Sequence, residues 1–78
     1  MSTTSSSAPE NVTVRAVPIE LCQFIKFGGL ADSGGAAKQA VAEGLVTVNG
    51  TLEKRKSRQL LAGDQVTLAG RTIVVHVG

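Results

Sequence analysis

Lys54-Arg55-Lys56-Ser57-Arg58 places four cations within five residues. Charges held this close repel one another, and a polyanion relieves that repulsion. The chemistry this run can do is electrostatic, the neutralisation of phosphates, and the bland alternative is a solvated basic loop. A second candidate is Ser33-Gly34-Gly35, at the start of a predicted helix. Glycines there leave the first N–H groups unshielded, and such a terminus attracts anions. Neither of the glycine-rich nucleotide-loop patterns is present, and the two glycines serve equally well for a tight turn or close helix packing. Lys38, further along the same helix, joins the basic run if that helix lies alongside it.

Catalysis finds little support. His76 lies near the end of an alternating strand on the face opposite Ile73, Val75 and Val77, and Cys22 sits beside the apolar stripe of the first predicted helix. Neither has a carboxylate or hydroxyl placed for a nucleophilic triad, so they read as a surface histidine and a packed thiol. The 6 carboxylates are scattered singly, with no pair for acid–base work. One cysteine excludes an internal disulfide framework, and one cysteine with one histidine cannot complete an all-protein zinc quartet. No catalytic residue, metal or cofactor is expected.

The elements that must position these residues are legible from period and punctuation. Val12 to Val17 alternates as a short strand. Pro18 suits the first position of a helix running to about Phe27, with Leu21, Phe24 and Ile25 on its apolar face and Gly28-Gly29 as its stop. A second helix follows Asp32-Ser33, which can cap it, carries Ala37, Ala40 and Val41 as a narrow stripe, and ends at Gly44. From Leu45 the period changes to two. Val46 and Val48 share one face, and Asn49-Gly50 is a strong hairpin signal because both residues tolerate positive φ. The return strand spans Thr51 to about Arg55, with the rest of the basic run in the loop beyond it. Leu60-Leu61 forms an apolar anchor, Ala62-Gly63-Asp64 a turn, Val66 and Leu68 a strand, Ala69-Gly70-Arg71 another turn, and Ile73 to Val77 the last strand.

The chain has 78 residues and a formal charge of +2, room for one small domain with a thin core. Residues 1–11, rich in Ser and Thr, read as a disordered tail, leaving 12–78 as the folded unit. No apolar stretch approaches the roughly 20 residues of a membrane helix, and no secretory signal pattern opens the chain, so a cytoplasmic protein without a membrane partner is expected. The charge is asymmetric. In residues 12–44, Arg15, Lys26 and Lys38 balance Glu20, Asp32 and Glu43. Residues 45–78 carry Lys54, Arg55, Lys56, Arg58 and Arg71 against Glu53 and Asp64, a net of +3. Phe24 and Phe27 are the two rings, and both are assigned to the core. With no ring left for base stacking, a stacking-type single-strand binder is disfavoured, and a reader of phosphates and shape in structured RNA fits better.

Ser33-x-x-x-Ala37-Lys38, then Ala42-Glu43-Gly44-Leu45-Val46-Thr47-Val48-Asn49-Gly50, the basic run and Gly63-Asp64-Gln65-Val66 together resemble the RNA-binding domain first described in the small-subunit ribosomal protein S-four. The same module, also called the alpha-L motif, occurs in pseudouridine synthases, tyrosyl-tRNA synthetases and a ribosome-associated heat-shock protein. Glu20-Leu21-Cys22 and Ser33-Gly34 resemble its small free-standing YbcJ-like subgroup. The likeness covers roughly Ile19 to Leu68 and extends to Val77. It implies an α+β fold, two antiparallel helices in a helix-turn-helix-like pair on a small bent antiparallel sheet with a hairpin. It also implies one RNA-facing surface made by the start of the second helix, Lys38 and the basic hairpin region. Positions 34 and 35, basic in many members, are glycine here, which removes two phosphate contacts. A second contact from a protein or ribonucleoprotein partner would restore affinity through avidity.

The expectation is therefore a non-enzymatic RNA-binding module contacting structured RNA, ribosomal or transfer RNA being the candidates. Its contacts are Lys38, Lys54, Arg55, Lys56 and Arg58, with backbone amides from Ser33, Gly34 and Gly35. The alternative is a ubiquitin-like sulfur carrier or protein-interaction domain, which shares the small size and the turns. A sulfur carrier uses a flexible Gly-Gly carboxyl terminus, and this chain ends Val77-Gly78 after a strand.

Overall fold

The structure, a computed structural model, describes residues 9–78; residues 1–8 of the expected tail lie outside the described residues. The elements run β1 (Glu10–Val14), β2 (Ile19–Glu20), α1 (Leu21–Phe27), α2 (Gly34–Ala42), β3 (Val46–Val48), β4 (Thr51–Leu52), β5 (Gln59–Leu60), β6 (Gln65–Leu68) and β7 (Arg71–Val77). Five strands form one sheet in the order β1-β7-β6-β3-β4, and β2 pairs with β5 in a separate two-stranded ladder. The fold is α+β, with α1 packed against α2.

The strand periodicity is as expected through most of the sheet. Val46, Val48, Val66, Leu68, Ile73 and Val75 are buried, while Thr47, Thr67 and Thr72 alternate with them on the other face. There the hydroxyls of Thr67 and Thr72 lie 2.8 Å apart, across the register pair Thr67↔Thr72. The hairpin signal holds: Asn49 and Gly50 take φ of 52° and 82° between antiparallel β3 and β4. Both helices also stop where their glycines predicted. At the end of α2 the amide of Gly44 donates to Val41 (3.1 Å) and that of Leu45 to Ala40 (3.1 Å), the paired Schellman bonds that require a left-handed residue, here Gly44 at φ 76°.

Several expectations are corrected. Two residues of the segment read as a tail belong to the sheet, because Glu10 and Asn11 pair with Ile73 and Val74. The strand expected at Val12 to Val17 is therefore Glu10–Val14. It runs parallel to β7, so the sheet is mixed rather than wholly antiparallel. Helix α1 begins at Leu21 and not Pro18, because Ile19 and Glu20 are held extended against Leu60 and Gln59. The hairpin's return strand ends at Leu52 rather than near Arg55. Of the expected Leu60-Leu61 anchor, Leu60 is fully buried and Leu61 is exposed. Val77, placed with Ile73 and Val75, is also exposed.

The core joins Leu21, Phe24 and Ile25 of α1 and Ala37 and Val41 of α2 to the valines, Leu68 and Ile73 of the sheet, with Leu60 closing one end. Close approach matters at Gly28, where a Cβ would lie 2.5 Å from Ile73 Cδ1 and 3.2 Å from the Phe24 carbonyl oxygen. The end of α1 thus rests directly on the sheet. Phe27, one residue earlier, turns outward and is 63% exposed, against its expected place in the core.

Candidate nucleic-acid interface

The basic run sits between β4 and β5, and its shape is set by the acidic residue that precedes it. Glu53 continues the sheet, its amide donating to the Val46 carbonyl at 3.1 Å, and its side chain is buried. Its Oε1 accepts from Arg58 Nη1 at 2.7 Å. Its Oε2 accepts from the Arg55 amide at 3.1 Å and from Arg55 Nε at 3.3 Å. Hydrogen bonds from the Arg58 guanidinium, then from the Arg55 backbone, hold the carboxyl down to about 2, outweighing the opposing effect of burial. The carboxylate therefore stays ionised at any physiological pH. The repulsion read into the cluster is offset in part from within, since two of its four cations share one anion.

The backbone of the run is tied down as well. The amide of Arg58 donates to the Arg55 carbonyl at 3.1 Å, closing a turn. The first amides of α1, which have no acceptor inside their own helix, take the loop's carbonyls instead: Leu21 donates to Arg58 at 2.8 Å and Cys22 to Lys56 at 3.2 Å. Three carbonyls of the run are thus spent inward. What remains outward is donor chemistry, from Arg55 (side chain 77% exposed), Arg58 (31%), Lys54 and Lys56. Among the described residues, Lys38, Lys54 and Lys56 make no ion pair. Arg55, Ser57, Arg58 and Gln59 line an open concavity on this loop.

The other predicted residues lie along α2. Ser33 is its N-cap, its Oγ accepting from the Ala36 amide at 3.1 Å and its carbonyl from Ala37 at 2.9 Å. The amides of Gly34 and Gly35 lie in the first turn, where an N–H has no helical carbonyl four residues before it to donate to. Neither glycine is there for close packing: a Cβ on Gly34 would meet nothing within 4 Å, and one on Gly35 only the Ser33 Oγ at 3.9 Å. Lys38 is exposed on the same helix. At the helix's other end, the Lys54 stem lies along the chain, its Cε 3.2 Å from where a Cβ of Gly44 would be. Nine residues at 1.5 Å per residue make α2 about 14 Å long. The predicted residues therefore do not converge on one point. Arg55 and Arg58 meet at Glu53, Lys54 reaches the C-terminal end of α2, and Ser33-Gly34-Gly35 stands at its far end.

Sequence reasoning missed three participants. Glu53 was counted only as opposing charge, and its burial depends on pairing with β3 that charge counting does not see. Ser57 and Gln59 carry no charge and gave no signal. Phe27 is a fourth surprise, a single exposed ring. His76 is exposed and Cys22 buried, as the structural readings of both predicted. No group of His, Cys, Asp and Glu suited to a metal occurs among the described residues, and no described helix is long and apolar enough to cross a membrane.

Comparison with known proteins agrees with the fold. The family model for the S4 domain matches residues 12–76. YbcJ of Escherichia coli (strain K12), whose name points to RNA binding, is 44% identical over 57 residues, covering 73% of this chain and 81% of YbcJ. RlbA of Bacillus subtilis (strain 168), whose name points to ribosome maturation, is 36% identical over 59 residues, covering 76% of this chain and 83% of RlbA. The solution structure of E. coli YbcJ, described as revealing an alpha-L motif involved in RNA-binding, superposes with a TM-score of 0.68 at 36% identity over 96% of both chains.

Proposed function

The chain belongs to the S4 domain family, and from that membership we propose that it is a non-enzymatic RNA-binding module, reading structured RNA through phosphate and shape contacts. The observation that carries the reading is the extent of the family match, which runs from β1 through β7 and takes in both the capped start of α2 and the basic loop. The physical arrangement supports it. Three of the loop's carbonyls accept backbone amides while its cations reach solvent, and a cationic ridge suits a duplex backbone better than splayed bases. One exposed ring, Phe27, is too little for a stacking platform, which needs successive aromatics.

Lys38, Lys54, Arg55, Lys56 and Arg58 are the proposed phosphate contacts, with Gly34 and Gly35 offering amides beside the Ser33 cap. Ribosomal RNA is the first RNA to test, since a relative's name points to ribosome maturation, and a cytoplasmic setting follows from that partner. The ubiquitin-like reading has no counterpart in the family match. The test is a salt titration of binding to a structured RNA hairpin and to a matched single strand. The hairpin is expected to bind more tightly, with log K falling against log salt at a slope of about −3.6 to −4.5 for four or five phosphate contacts. Alanine at Lys54, Arg55 and Lys56 together should flatten the slope and weaken binding at least tenfold. Equal binding of both RNAs, or a triple variant with unchanged affinity, defeats the reading.

A further inference from the structure

We propose that Arg55, Ser57, Arg58 and Gln59 form a seat for one phosphate group, and that Glu53 beneath them is the positioning residue that builds it. The inference rests on the RNA-binding reading only for the source of the phosphate, not for the seat itself. These four residues line one concavity, and two of them are guanidinium groups held by a common carboxylate. Each guanidinium has five donors in a planar fork. Arg55 spends its Nε on Glu53, leaving both terminal nitrogens outward. Arg58 spends one bond from Nη1 and keeps the rest. A lysine would not fix this geometry, because its three donors rotate on a flexible stem and lack the planar fork.

The loop's other bonds have the same effect. With the carbonyls of Arg55, Lys56 and Arg58 each accepting a backbone amide, fewer carbonyl lone pairs face an arriving anion. Ser57 and Gln59, which line the same concavity, add a hydroxyl and a side-chain amide able to donate. The arginines are thus ordered before any ligand arrives, so the entropy of fixing their side chains is spent in folding, not in binding.

This assignment makes a prediction opposite in sign to simple charge attraction. Glu53→Gln raises the net charge by one, which on electrostatics alone tightens anion binding. If Glu53 positions the forks, the variant binds phosphate more weakly. The experiment is a titration of the full chain with inorganic phosphate at constant ionic strength, followed by amide NMR shifts. Wild type is expected to show saturable shifts confined to Arg55 through Gln59. Glu53→Gln should raise the dissociation constant at least fivefold, and Arg58→Lys, which keeps the charge and loses the fork, should do the same. Shifts spread equally over Lys38 and Lys54, or unchanged or tighter binding in Glu53→Gln, overturn the seat. Should Glu53→Gln fail to fold, Arg58→Lys decides: weakened binding supports the seat and full retention overturns it. A wild type that takes phosphate at these amides but no structured RNA would defeat the RNA reading and leave the seat standing.

Discussion

Glu53 shows how one residue can change the meaning of its neighbours. Its carboxyl titrates near 2 in the folded chain, against an ordinary value of 4.5. A depressed carboxyl contributes stability that is complete above the unfolded value and is lost as pH falls through the folded one. The melting temperature should therefore fall between about pH 5 and pH 2, and Glu53→Gln should show a shallower fall over that range; thermal melts of both proteins across it check this. An equal fall in both would place the acid sensitivity elsewhere. The four cations were legible as a run of residues, whereas their organisation was not. A charge sum treats Glu53 as one negative among several, and only its pairing with β3 buries it where two arginines can reach. Phe27 was misjudged for a related reason. It follows Phe24 and Ile25 closely enough to look like core, but the close seating of Gly28 on Ile73 turns it outward.

At the scale of elements, signals that act within a few residues were read correctly and those that act across the chain were not. The Asn49-Gly50 hairpin, the Ser33 cap and the glycine stops of both helices depend on local φ and nearest hydrogen bonds. Pro18 also gave a local signal, for a helix start, and it was overridden by Leu60 and Gln59, some forty residues away. The helix that results is only 7 residues long, too short to persist by itself; packing and the loop carbonyls at its first turn hold it. Gly44→Ala should cost about 1 kcal/mol from the left-handed φ alone, with a further cost where the new Cβ meets the Lys54 stem. Gly28→Ala should be worse, about 1–3 kcal/mol, because Ile73 is fully buried and cannot retreat freely. Urea denaturation of the two variants would rank them, and the reverse order would mean that the seating of α1 on the sheet is looser than described.

Across the whole molecule, the proposed contacts are spread along α2 and the basic loop, a spread that would reach more than one phosphate of an RNA besides the one proposed for the loop's seat. The α+β class, the helix pair and the small sheet were all within reach of the sequence. The parallel edge was not, since it joins the first strand to the last and no period or turn residue announces a pairing over sixty positions. That edge has a mechanical consequence. Because β1 and β7 run in the same direction, with Glu10 beside Ile73 and Val14 beside Val77, tension drawn out through residue 9 and through Gly78 pulls the two strands past each other lengthwise. Every hydrogen bond of the ladder is then loaded at once, as in a lap joint under shear. Force applied instead between Glu10 and Arg71, at the same end of the pair, opens the ladder one bond at a time. Single-molecule pulling should find a higher rupture force in the first geometry than in the second. The domain would then be stiffest along the line joining its own ends, a direction in which flanking chain or a tethered partner would haul on it.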